Sequence, residues 1–104
     1  MTETIIRRRI EVLADEPLIP AIERIAASAG IEHYTLLPTL GGMGHSGRWR
    51  DDQISGATAK VMFMAVTSEE GADKLTDLLS PLLATHHLIL LVSNVEVIRP
   101  QRFD

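Results

Sequence analysis

The sequence predicts an α+β fold in which four strands and two helices follow one another as βαββαβ. Three observations carry this. Alternation over Thr4 to Leu13 places Ile6, Ile10 and Val12 on one face of a strand. Ile19, Ile22, Ile25, Ala26 and Ala29 recur at helical spacing, as do Ala72, Leu75, Leu78, Leu79, Leu82 and Leu83. Two further apolar runs, Ala59 to Val66 and His87 to Ile98, read as strands that are apolar on both faces.

Each element has its own punctuation. Asp15, Glu16 and Pro17 announce the first helix, with acids at its positive end. Pro20 fits only in the first turn, and Gly30 suits the left-handed position after the last turn. Tyr34 to Leu40 reads as a second strand that Pro38 confines to an edge or a bulge. Thr67-Ser68-Glu69-Glu70 has the form of a capping box, and Pro81 is expected to kink or end the second helix. Pro100 stops the last strand. The order is that of the ferredoxin-like plan: a four-stranded antiparallel sheet with both helices on one face. Because the third and fourth strands are apolar on both sides, the uncovered face would expose a large patch, and an oligomer in which sheets pack together is expected.

The chain of 104 residues is read as one domain, 1–104. Its 45% hydrophobic and 23% charged residues are those of a globular protein rather than a disordered one. It has no Cys, which excludes disulfides, thiol catalysis and thiolate metal sites. There is no apolar signal core and no run of membrane-spanning length, so a cytoplasmic location is expected. A net charge of −4 argues against general nucleic-acid binding, and Arg7-Arg8-Arg9 reads as a solvated or subunit-facing edge.

The segment between the second and third strands stands apart. Gly41-Gly42-Met43-Gly44-His45-Ser46-Gly47-Arg48-Trp49-Arg50-Asp51-Asp52 holds the only Trp and four of the seven Gly, and reads as a polar loop. Gly lets backbone N–H groups approach a ligand, and Arg binds anions. Trp49 is either a plug that packs back on the body or a lid or partner anchor, and the anchor reading is preferred because Trp and Arg dominate binding hot spots. Arg48 and Arg50 either clasp an anion or pair at the surface with Asp51 and Asp52, where they would contribute little. His86 and His87, with His33 or His45, are better read as surface or capping groups than as a metal site, since neighbours on a strand face opposite ways. No carboxylate pair, Ser-His-Asp set or metal-spaced His motif stands out, so no catalysis is assigned.

These residues resemble the PII-like signal-transduction proteins. The element order matches, as does Ile31-Glu32-His33-Tyr34-Thr35-Leu36-Leu37-Pro38-Thr39-Leu40-Gly41-Gly42, which is similar to the family's second strand running into its long T-loop. Val95-Glu96-Val97-Ile98-Arg99 resembles the strand whose basic end reaches nucleotide phosphates, and Gly-His-Ser-Gly-Arg-Trp-Arg resembles the divergent branch linked to bicarbonate and carboxysome regulation.

The resemblance implies a non-catalytic homotrimer with a flexible T-loop at about 41–57. An adenine nucleotide would bind in each cleft between subunits, and the T-loop would engage a membrane transporter or an enzyme. It puts Thr35 at the adenine, Gly41, Gly42 and Gly44 at the phosphates, and Arg99 with Arg102 at the phosphates from a neighbouring subunit. His45, Ser46, Arg48, Trp49 and Arg50 belong to the loop and to a second, anion ligand. There are departures. The family's modified loop Tyr is missing, and Tyr34 lies in the strand before. Met43, Gly44 and His45 stand near where a Gln binds Mg-ATP, and a Gly- and Lys-rich B-loop is replaced by Ala84-Thr85-His86-His87. ADP or AMP is therefore expected rather than ATP, with bicarbonate as the second ligand. The alternatives are a metal-binding trimer, CutA-like or akin to the PII-like group linked to metal efflux, using His45, His86 and His87, and a small enzyme with His45 or His33 as base.

Overall fold

The computed structural model describes residues 4–44, 47–50 and 59–98. Strand β1 spans Ile5–Asp15 and runs through a short 3-10 turn, Glu16–Leu18, into helix α1, Ile19–Ser28. Strand β2 is Thr35–Pro38, followed by β3, Gly41–Gly44, and β4, Gly47–Arg50. Strand β5, Lys60–Thr67, leads into helix α2, Glu69–Thr85, and β6, Ile89–Val97. The main sheet has the order β2-β5-β1-β6 with every neighbouring pair antiparallel, which is the α+β ferredoxin-like arrangement. A second sheet consists of β3 and β4 alone.

The core lies between this sheet and the helices. Ile10, Val12 and Phe63 meet Ile22, Leu75 and Leu79, and all six are completely buried. The register sets Val12 opposite Phe63 and Leu90, and Ile10 opposite Ala65 and Val92, so alternate residues of three strands share the helix-facing side. The other side carries Met62, Met64 and Val66 of β5 and Ile89, Leu91, Val95 and Val97 of β6. Between them run Arg7, Arg9 and Glu11 of β1. Leu91 and Ile89 are about half exposed, at 52% and 49%. The three arginines therefore do not form an edge: β1 is a central strand. Arg8 points to the helix side and pairs with Glu69, and Arg9 Nε lies 3.4 Å from Glu11 Oε1.

The helix ends follow their local chemistry. Pro20 sits in the first turn of α1. Gly30 adopts φ +83°, and Gly30 N–H donates to Ala27 O while Ile31 N–H donates to Ala26 O, the paired bonds of a Schellman stop. At α2 the cap lies one residue later than a Thr67–Glu70 box would place it: Ser68 Oγ accepts from Gly71 N–H at 3.1 Å. Pro81 does not end α2, which continues to Thr85, where the Thr85 hydroxyl donates to Pro81 O. The α2–β6 connection is a tight turn at His86 and His87, with His87 at φ +52°. No helix among the described residues is long and apolar enough to cross a membrane.

Candidate functional site

The segment read as a polar loop is, in its described part, a hairpin. Gly41 stands opposite Arg50, Gly42 opposite Trp49, Met43 opposite Arg48 and Gly44 opposite Gly47. Residues directly across an antiparallel pair share a face, and neighbours along a strand alternate. The hairpin is therefore two-sided. Gly42, Gly44 and Trp49 occupy one face; Met43, Arg48 and Arg50 occupy the other.

Trp49 faces the body, where it is only 8% exposed, so the lid or anchor reading gives way to the plug. Its indole Nε1–H donates to Thr39 Oγ1 at 3.1 Å, and the Lys60 ammonium lies 5.2 Å from the ring centroid. Thr39 in turn donates its hydroxyl proton to Lys60 O at 2.8 Å, and Lys60 Nζ pairs with Asp15 Oδ1 at 2.6 Å. One indole thus ties the hairpin to the exit of β2, the start of β5 and the end of β1.

The glycines make room for it. A Cβ on Gly42 would lie 2.5 Å from Trp49 Cη2, and one on Gly41 would lie 2.4 Å from the Trp49 carbonyl oxygen. A Cβ on Gly44 would meet the same ring at 3.6 Å, an ordinary contact, so Gly44 is not required by the indole. Close packing against Trp49 is a reason for glycine at 41 and 42 that owes nothing to phosphate.

The hairpin borders a groove of about 470 Å³, lined by Leu40, Gly41, Gly42, Met43, Arg48, Trp49 and Arg50. Leu40 and Met43 are strongly exposed, at 80% and 69%. Arg48 and Arg50, two residues apart on one strand face, are also exposed. Such a pair offers forked donors suited to a small planar anion. Thr35 opens the edge strand β2 and pairs with Met64, on the side of the sheet without helices.

Tyr34 belongs to the body instead. Its hydroxyl donates to Glu23 Oε2 at 2.5 Å, and its ring stacks on Phe63 with centroids 4.8 Å apart. The hydrogen bond to Glu23, then desolvation, then the Glu23 charge raise its pKa above the usual tyrosine value. His86 Nδ1 lies 2.8 Å from Thr85 Oγ1, and no group of three His, Cys, Asp or Glu among the described residues is placed to hold a metal. His45, Ser46, Arg99 and Arg102, four of the residues expected at the site, lie outside the described residues, as do Asp51, Asp52 and Pro100. Thr39 and Lys60, which hold the indole, were not anticipated. Their part depends on a fold-back that spacing along the chain does not reveal.

With this geometry in place, comparison with known proteins decides the family. The sequence profile of the family described as Nitrogen regulatory protein P-II matches residues 7–102. The chain belongs to the P-II family. No curated protein sequence matches it. Among solved structures it is similar to the P-II-like protein CPII from Thiomonas intermedia K12 bound to ADP, AMP and bicarbonate. That likeness has a TM-score of 0.87 and 22% identity, and covers 97% of this chain and 96% of that one. The apo form of CPII aligns with a TM-score of 0.79 and 20% identity, over 96% of this chain and 100% of that one. The GlnK–ATP complex of B. subtilis is more distant, with a TM-score of 0.61 and 11% identity over 86% of this chain and 82% of that one. These likenesses establish the P-II fold.

Proposed function

We propose that this P-II family member is a non-catalytic homotrimeric sensor. Adenine nucleotide, with ADP or AMP preferred, binds in the clefts between its subunits. Bicarbonate is a second ligand, and the T-loop relays the bound state to a membrane transporter or an enzyme. The observation that carries this reading is the hairpin's outer face. It sets Arg48 and Arg50 side by side along the groove that the hairpin borders, in a fold shared with a protein solved with ADP, AMP and bicarbonate. The half-exposed apolar residues on the bare side of the sheet, Ile89 and Leu91 among them, support burial against sister subunits.

In this reading Thr35 meets the adenine, and backbone amides around Gly41, Gly42 and Gly44 approach phosphate. Arg99 and Arg102 supply cations from the neighbouring subunit, and Arg48 and Arg50, with His45 and Ser46, face the anion. A charge-assisted hydrogen bond contributes about 1.5–3 kcal/mol, so replacing Arg99 lowers nucleotide affinity by about one to two decades. The tight turn at His86 and His87 leaves no Lys- or Gly-rich segment to hold a third phosphate, which favours ADP or AMP over ATP.

Calorimetry with ADP, AMP, ATP and cyclic nucleotides, each with and without bicarbonate, tests this reading. The expected result is ADP or AMP binding more tightly than ATP, with added heat from bicarbonate. Absence of binding by all of them at millimolar concentration overturns it. Light scattering is expected to give a trimer mass, and lone protomers in dilute buffer would remove the clefts on which the reading depends.

A further inference from the structure

The chain places its arginines on either side of Trp49, at the two neighbouring positions of β4. Strand alternation makes the three side chains one mechanical unit: with the indole turned to the sheet, both guanidinium groups must turn away from it. A movement of the strand that frees the ring also rotates the arginine face. What keeps the ring in place is a small polar cluster rather than a deep core. The Thr39 hydroxyl is engaged twice, accepting from the indole N–H and donating to Lys60 O. Lys60 is engaged twice as well, over the ring and with Asp15. Gly42 supplies the space, since a single added carbon would fall 2.5 Å from the ring.

We propose that Trp49 is the positioning residue of the anion site: held by Thr39 and Lys60, it fixes the hairpin on the sheet and thereby fixes the arginine face that meets bicarbonate. This rests on the reading of Arg48 and Arg50 given above. Docking of the indole and binding of the anion are then linked. Each favours the other by the same factor, and releasing the ring weakens the anion without removing any group that touches it.

Thr39→Val and Gly42→Ala test this in the full-length protein, with sodium bicarbonate as the probe in the presence of ADP and sodium chloride as the ionic-strength control. Thr39→Val removes the indole's acceptor and keeps the side-chain shape; Gly42→Ala pushes on the ring itself. Because Trp49 is the only Trp, its emission reports docking directly. In both variants the emission is expected to shift to longer wavelength. For Thr39→Val, bicarbonate affinity is expected to fall about three- to tenfold, the range for one neutral hydrogen bond. Saturating bicarbonate should return the Thr39→Val emission toward that of wild type, a reversal that a general loss of stability would not produce. If the emission moves and both variants bind bicarbonate as wild type does, the linkage is wrong and the arginine reading survives. Unchanged emission in both variants overturns the role given to Thr39 and Gly42 in seating the indole. A wild-type protein that gives no bicarbonate response overturns the arginine reading and this inference with it.

Discussion

The sandwich and the hairpin are held in different ways. In the sandwich, Ile10, Val12, Phe63, Ile22, Leu75 and Leu79 are buried together, and each position is backed by several others. In the hairpin, three of the eight described positions that form the strands are occupied by one arginine pair and one Trp, four by glycine, and the buried group is Trp49 alone. The sandwich is stabilised by redundant apolar packing. The hairpin is stabilised by a single indole seated on Thr39 and Lys60. A structure of the first kind loses stability as a whole when it is damaged. One of the second kind can come away locally while the rest stays folded.

The largest test of this contrast is Phe63→Ala. Removing a fully buried aromatic ring is expected to cost about 3–5 kcal/mol, read as a lower denaturation midpoint for the whole domain. The Tyr34 ring that stacks on Phe63 would lose its support at the same time. Gly42→Ala is the counterpart in the hairpin. Overpacking against the indole is expected to cost about 1–2 kcal/mol, limited by the free energy with which the hairpin docks. Hydrogen exchange should speed up at residues 41–44 and 47–50 and remain slow in β1 and β5. Uniformly faster exchange throughout the chain would show that hairpin and sandwich form one cooperative unit, and the contrast would fail.

The same division explains what the sequence made legible. The strands and helices of the sandwich were readable because burial imposes a period: every second residue in β1, and a stripe through Ala72, Leu75 and Leu79 in α2. The hairpin was not readable. Glycine is a poor strand former, and four strand residues on each side are too few for a pattern to emerge. The pairing of Gly42 with Trp49 accounts for this segment physically: a residue without a side chain stands opposite the largest one. That is a relation across strands, which spacing along a single strand does not carry. Pro81 misled for a different reason. A helix as long as α2 is held by its packed face, with Leu75 and Leu79 fully buried, and this outweighs one missing backbone bond. That Arg48, Arg50 and four glycines share one segment is plain from the chain, whereas the orientation of Trp49 is not.

Ser68→Ala makes a smaller change on the sandwich side. Loss of the cap on Gly71 N–H is expected to cost about 1 kcal/mol. The emission of Trp49 should not move, since α2 begins far from the hairpin's anchors in the sheet register: Thr67 pairs with Arg8, and Lys60 with Asp15 at the opposite end of β5. A shift in emission would mean that stress at the cap reaches the indole through the strand.

The smallest expected effect is a titration that separates the two regions without damaging either. Tyr34 is the only tyrosine, so its phenolate absorbance can be followed directly. Its pKa is raised because the neutral hydroxyl donates to Glu23, with desolvation and the Glu23 charge adding in the same direction. A group whose pKa is higher in the folded state stabilises that state fully below its unfolded value. The contribution is lost as pH climbs through the folded value, so the domain should lose a little stability only on the alkaline side of the ordinary tyrosine pKa of 10.0. Glu23→Gln removes the charge and replaces the carboxylate acceptor with a weaker one, and the titration should move back toward that of a free tyrosine. Gly42→Ala should leave it where it is, because Tyr34 answers to α1 and Phe63 rather than to the hairpin. If Gly42→Ala shifted the Tyr34 titration as far as Glu23→Gln does, release of the hairpin would be disturbing the edge of the sandwich, and the two regions could no longer be treated as separately held.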